Sequence, residues 1–161
     1  MSVEVHWDRV MGPARAAARI TGLERKLRRG GLRQPLQEIV REVLAPSMRR
    51  QFETNGVSGD GNAWSPLKET TQRRWNKRAS PALVQSGKLK RAAGAIARWN
   101  VNNNNEVRFA GLPLSVVYGY LHQTGTVNMT DRPWIRFSDG DDVKAKEILS
   151  KWIGNQVRTM K

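Results

Sequence analysis

The stretch LRQPLQEIVREVLAPSMRRQF, residues 32–52, decides the fold. Its apolar residues Leu32, Leu36, Ile39, Val40, Val43, Leu44, Met48 and Phe52 recur at spacings of four, three and one. That period puts them on one face of a helix, since about 3.6 residues complete each turn. Glu38 and Glu42, at i and i+4 with Arg41 beside them, fall on the solvated side and read as surface charges. Pro35 lies in the first turn, where a backbone N–H has no partner to lose. Pro46 lies deep inside the pattern, so a kink or break is expected there. Asn55-Gly56 supplies the stop, because both residues accept left-handed backbone. The outcome is a long amphipathic helix that needs a body to cover its stripe.

Working outward, Val3, Val5 and Trp7 alternate with Glu4 and His6, the period-2 pattern of a short strand. Gly12-Pro13 breaks the chain, and Ile20, Leu23 and Leu27 then mark a helix over residues 14–29, ended by Gly30-Gly31. Downstream, Gly56, Gly59 and Gly61 open a flexible stretch that leads to a short basic helix over residues 70–78 and to Leu83-Val84. A long loop in a compact domain is usually functional, so residues 55–91 read as a basic, flexible, partner-facing arm. Residues 93–101 and 106–110 read as a hairpin around the Asn102–Asn105 run, residues 116–122 as a short buried helix ended near Gly125, and residues 134–137 as a last strand. Asp139, Asp141 and Asp142 suit the start of a final helix, whose apolar face is Ala145, Ile148, Leu149, Trp152, Ile153, Val157 and Met160. The sum is one α+β domain over residues 1–161, a small, mostly antiparallel sheet packed with long amphipathic helices and carrying the arm as an insertion.

The charge is unevenly placed. The chain of 161 residues has 28 Lys and Arg against 14 Asp and Glu, a net +14. Residues 61–100 hold nine bases and one acid, a net +8 in a quarter of the length. Such a patch attracts polyanions or acidic protein surfaces. No apolar run approaches the ~20 residues of a membrane span, and the opening residues lack a signal-peptide pattern, so a protein without membrane contact is expected.

Catalytic chemistry has little to stand on. There is no cysteine. His6 and His122 stand far apart without a His, Cys or carboxylate at metal spacing, and the three aspartates are better explained by a helix start than by a cation. No phosphate-binding glycine loop and no nucleophile elbow occurs. No catalytic, cofactor or metal residues are expected, and His122 reads as a partly buried histidine closing an aromatic segment. Trp99, Trp134 and Trp152 fit apolar faces and the core. Trp64 and Trp75 lie in the basic region, where aromatics interleaved with Arg and Lys serve either as base-stacking platforms or as interface anchors.

An ordered series of local features resembles the phage virion morphogenesis, or tail-completion, family. A helix ending in Phe52 and then Gly56 is followed by Trp64-Ser65-Pro66-Leu67 with Thr70 close behind. Next come Leu83-Val-Gln-Ser86-Gly87-Lys-Leu89, then Tyr118 to His122-Gln-Thr-Gly125, then Arg132-Pro133-Trp134. Tyr118-Gly119 departs from the Tyr-Ala more usual in the family. The resemblance implies a structural subunit that completes the tail or joins it to the head, found in the virion and in the host cytoplasm during assembly. It further implies partnership with its own copies in a hexameric ring, with tail-tube and head–tail connector proteins, and with passing DNA. The basic residues that would face the partner are Arg73, Arg74, Lys77, Arg78, Lys88, Lys90 and Arg91. A plain nucleic-acid-binding module is the alternative that these bases leave open.

Overall fold

A computed structural model describes residues 13–28, 31–57, 63–74, 83–84, 86–103, 105–116 and 118–159. The strand expected near Val5, Trp75 and the basic residues Lys77 and Arg78 lie outside that set. The element order is α1 (Pro13–Arg28), α2 (Arg33–Ile39), a π turn (Val40–Leu44), α3 (Ala45–Glu53), α4 (Glu69–Arg74), α5 (Lys88–Ala93), β1 (Trp99–Val101), β2 (Val107–Phe109), α6 (Tyr118–Thr124) and α7 (Asp139–Thr159).

The deciding stretch is helical from Arg33 to Glu53, and Pro46 does not break it. Just ahead of the proline the backbone widens into a π turn, in which the Ala45 N–H reaches back to the Val40 carbonyl. A π turn displaces the carbonyls that a proline ring would otherwise strike, so the helix passes the obstacle without ending. The expected stripe is buried: Ile39, Val40, Val43, Met48 and Phe52 are all covered. The helix stops where the sequence placed the stop. Asn55 and Gly56 both have positive φ, and the Gly56 N–H bonds the Gln51 carbonyl at 2.8 Å. That is the six-to-one bond of a Schellman ending.

The core gathers Met48, Phe52, Trp64, Leu83, Leu89, Ala93, Val116 and Trp134. Phe52 meets Trp64 edge-on at 5.4 Å, and Trp134 meets Phe109 at 5.9 Å, so aromatic rings span the layer between α3 and the hairpin. α7 closes the other side of α2 and buries Trp152.

Three sequence expectations need correction. The strand expected over residues 93–101 is confined to Trp99–Val101, preceded by α5 and a 3-10 turn at Ile96–Arg98. Lys88 to Ala93 are all good helix formers, and Gly87 in left-handed backbone starts the turn, so local propensity wins there. The hairpin itself is present, pairing Trp99 with Phe109 and Val101 with Val107. Residues 134–137 form no strand, and side chains rather than a neighbouring strand bond their backbone. Gln123 Oε1 accepts the N–H groups of Trp134 and Ile135 at 3.0 and 2.9 Å, while Ser47 and Gln51 donate to the Arg136 carbonyl. Finally, α6 is not a buried helix. Gly119 is covered, but Tyr118, Tyr120 and Leu121 are exposed. The fold is α+β as expected, rich in helix and with a two-stranded antiparallel sheet among the described residues.

Candidate functional site

The residues singled out by motif converge in space. Trp64 leaves the segment after α3 and inserts beside Phe52, only 5 % exposed. Its indole N–H donates to the Pro133 carbonyl at 3.0 Å. Arg132, equally buried, returns the grip: Nε donates to the Ser65 carbonyl at 2.8 Å and a terminal nitrogen to the Pro66 carbonyl at 3.0 Å. The backbone N–H of Arg132 donates to the His122 carbonyl at 2.6 Å, and the Trp134 indole donates to the Gly119 carbonyl at 2.7 Å. Two sequence-distant segments and α6 are thereby locked into one clasp. Backbone carbonyls do most of the accepting, so Arg132 works as a many-armed donor whose planar fork fits several carbonyls at once.

Glycines make room for it. A Cβ at Gly56 would stand 2.4 Å from Trp64 Cδ1, and the residue has φ +89°. A Cβ at Gly119 would stand 2.4 Å from Leu112 and 2.6 Å from Leu89, which gives the departure from Tyr-Ala a local reason. Gly125 turns the chain out of α6 toward an isolated bridge between Thr126 and Met129.

Other motif residues serve the same framework. Leu89 is fully buried and Leu67 packs against the core, whereas Thr70 and Pro66 are exposed. The Ser86 hydroxyl accepts the Lys88 N–H, and its carbonyl faces Arg91. His122 is half-buried, edge-on to Tyr118 at 6.1 Å. Burial and the Arg132 guanidinium nearby hold its pKa below the ordinary histidine range. Its Nδ1 has no partner among the described residues. Nothing described stands against it as a nucleophile or an orienting carboxylate.

The segment expected as an arm is fastened at Trp64, Leu83 and Leu89. Of its bases, Lys90 pairs with Glu53 at 3.1 Å and Arg73 pairs with Glu69 on α4. Lys88 and Arg91 are exposed, the backbone of Arg74 ends α4, and Lys77 and Arg78 lie outside the described residues.

Asp141 at a helix start and Asn105 in a turn are placed as the sequence suggested, but their partners were not legible in it. Asp141 is buried at the start of α7, where its carboxylate accepts the N–H and hydroxyl of Ser138, each at 2.9 Å, and the Ser47 hydroxyl at 2.6 Å. Arg50 completes the set as an ion pair. Ser138-x-x-Asp141 is a capping box in which Asp141 replaces the usual Glu. Asn105, in left-handed backbone, donates to the Leu27 carbonyl and accepts the Leu32 N–H, tying the hairpin turn to the α1–α2 junction.

Large apolar side chains are exposed along the chain that carries α6. Leu114 is 92 % exposed, Val127 fully exposed and Tyr120 66 % exposed, with Tyr118 and Leu121 beside them in sequence. Almost half of the large apolar side chains exposed among the described residues fall on the short segment 114–127.

Fold and clasp together define a class: a helix-rich α+β protein whose motif residues hold a shape rather than present reactive groups. The chain belongs to the phage virion morphogenesis family, whose model matches residues 14–154. The match takes in α1 and most of α7 as well as the motif series between Phe52 and Trp134. Searches of the curated proteins and of the solved structures returned no match. Membership implies a structural role in a phage virion rather than a catalytic one. No helix among the described residues is long and apolar enough to cross a membrane.

Proposed function

We propose that this chain is a ring-forming subunit that completes the tail or joins it to the head at the neck. The observation that carries the reading is the set of exposed apolar side chains Leu114, Tyr118, Tyr120, Leu121 and Val127, on a segment that the Trp134 indole fastens at the Gly119 carbonyl. Exposed apolar groups this dense mark a protein–protein contact, because leaving them in water forfeits about 25 cal/mol for each Å² that a partner could cover. Arg132, Trp64 and Gln123 fix the backbone beneath, so the face is preorganised and little ordering entropy opposes its docking. Like copies, tail-tube subunits and head–tail connector subunits are the partners proposed for it.

The positive charge has a second role in this reading. A net +14 subunit arranged around a channel would lower the electrostatic cost of DNA lying in it. Native mass spectrometry of the purified chain, alone and with isolated tails, tests the proposal. Closed oligomers or stoichiometric binding to tails are expected. A monomer at every concentration that leaves tails bare would overturn it.

A further inference from the structure

A second surface shares no residue with the clasp. Arg33, Gln37, Val40 and Arg41 form one wall of a groove of about 330 Å³, and Ile96 with the three β1 residues forms the other. The helical wall comes from successive turns of α2 and the π turn, so the groove runs along the helix. Side chains alternate between the faces of a strand, so lining by three consecutive residues places the groove at the edge of β1. The ladder agrees. The Ala110 N–H donates to the Arg98 carbonyl and the Asn102 N–H to the Glu106 carbonyl, so positions 98, 100 and 102 pair with β2. The N–H and carbonyl of Val101 and the carbonyl of Trp99 therefore point away from β2, and they take no partner among the described residues. The Trp99 N–H is already used, bonded to the Ile96 carbonyl.

The chemistry of the two walls selects an occupant. Arg33 and Arg41 are both exposed, and no acid is among the described residues that line the groove. Arg41 also touches its neighbour Glu42, but an exposed pair of this kind holds it weakly. Two bases call for an acidic partner. The strand edge narrows the choice, because it offers carbonyls as well as an N–H. Phosphate oxygens only accept, so a nucleic acid leaves those carbonyls unmet, whereas a peptide backbone brings donors and acceptors in alternation. We infer that the groove takes an extended acidic segment of a partner protein, which adds as a strand to the open edge of β1 and sets carboxylates against Arg33 and Arg41. Eight residues separate the two arginines, about 12 Å along a helix that rises 1.5 Å per residue. An extended chain covers that distance in about four residues at roughly 3.3 Å each, which sets the spacing of the two acids. Ile96, 45 % exposed, is the apolar side chain that such a segment covers. The contact goes beyond the ring reading, since it uses none of the residues of segment 114–127 and does not depend on what docks there.

The test is fluorescence anisotropy of the full chain with a fluorescein-labelled peptide, Thr-Glu-Val-Thr-Val-Glu-Thr, whose carboxylates have that spacing. Saturable binding is expected. Arg33→Gln with Arg41→Gln should weaken it at least fivefold. Lys88→Gln with Arg91→Gln removes the same charge from exposed positions outside the groove and should leave it within twofold. All four side chains are exposed, so an unchanged thermal midpoint in both variants separates lost binding from lost fold. Of two peptides methylated on alternate backbone nitrogens, odd positions in one and even in the other, at least one should lose fivefold or more. The inference is overturned by the absence of saturable binding, by equal loss in the two charge variants, or by methylated peptides that both bind like the parent. It is also overturned if a single-stranded oligonucleotide of the same charge binds more tightly and loses that affinity with Arg33→Gln and Arg41→Gln, for the groove then takes nucleic acid. Loss of self-association by that same variant in native mass spectrometry would assign the groove to a second copy and overturn it as well. None of these outcomes removes the ring reading, which the wild-type chain decides by itself.

Discussion

The indole of Trp64 lies against Gly56, eight residues earlier, so closely that any side chain at Gly56 would overlap the ring. The turn that ends α3 and the tryptophan that begins the clasp are thus one packing unit, joined also by the Trp64 N–H to the Asn55 carbonyl at 2.8 Å. Gly56→Ala meets both left-handed strain and a 2.4 Å contact with Trp64 Cδ1. Strain of about 1–2 kcal/mol and overpacking of a further 1–3 kcal/mol are expected. Urea unfolding should show the midpoint falling with an unchanged slope; a wild-type midpoint would mean that Trp64 is not seated there.

Arg132 makes a separable prediction. Arg132→Met keeps the aliphatic stem but leaves the carbonyls of Ser65 and Pro66 without their donor. Ser65 is half-buried and Pro66 exposed, so water replaces part of the lost bonding and a loss of roughly 1–3 kcal/mol is expected. Arg132→Lys should recover only part, since an ammonium cannot span two carbonyls with the guanidinium's fork. Equal stabilities for the Met and Lys variants would show that charge and hydrogen bonding at Arg132 contribute little.

What could be read from sequence divides along physical lines. The helix of residues 33–53 and its ending at Asn55-Gly56 were legible because periodicity and left-handed backbone are local signals. The core places of Trp134 and Trp152 were legible for the same reason. Passage through Pro46 was not, since a π turn leaves no composition mark. Residues 134–137 carry a strand-like pattern, and nothing local reveals that Gln123 and Ser47 would replace a strand partner. The motif series marked Trp64, Arg132 and Pro133, but only the fold reveals that they hold one another. Asp141 read as one of three similar acids. Its burial depends on Ser47 and Arg50, some 90 residues away in sequence.

Asp141 also gives the acid limb of stability. Burial alone would raise its carboxyl pKa, but the Ser138 N–H, the Ser47 and Ser138 hydroxyls and the Arg50 guanidinium together bring it below the usual value of 3.8. The unfolded chain then binds the proton more readily, so stability rises with pH across the window between the folded pKa and 3.8. The contribution is fully present above that window and is lost as pH falls through the folded pKa. Asp141→Asn should be less stable at neutral pH by about 1–3 kcal/mol. The gap to wild type should narrow on acidification. Parallel stability–pH curves for the two proteins would contradict the assignment.

The exposed apolar side chains of segment 114–127 make the last prediction, and they separate folding from assembly. Tyr120 is 66 % exposed and Leu114 92 % exposed, so neither contributes much to the core of an isolated subunit. Leu114→Ser with Tyr120→Ser should therefore change the unfolding free energy by no more than about 0.5 kcal/mol. If segment 114–127 is where a ring partner or tail subunit docks, the same pair removes apolar area from the contact. Two such side chains, covered at an interface, contribute about 1.5–3 kcal/mol each, so association should weaken by at least tenfold. Sedimentation and tail-binding assays on a variant of wild-type stability read that loss directly. Undiminished assembly would move the contact elsewhere.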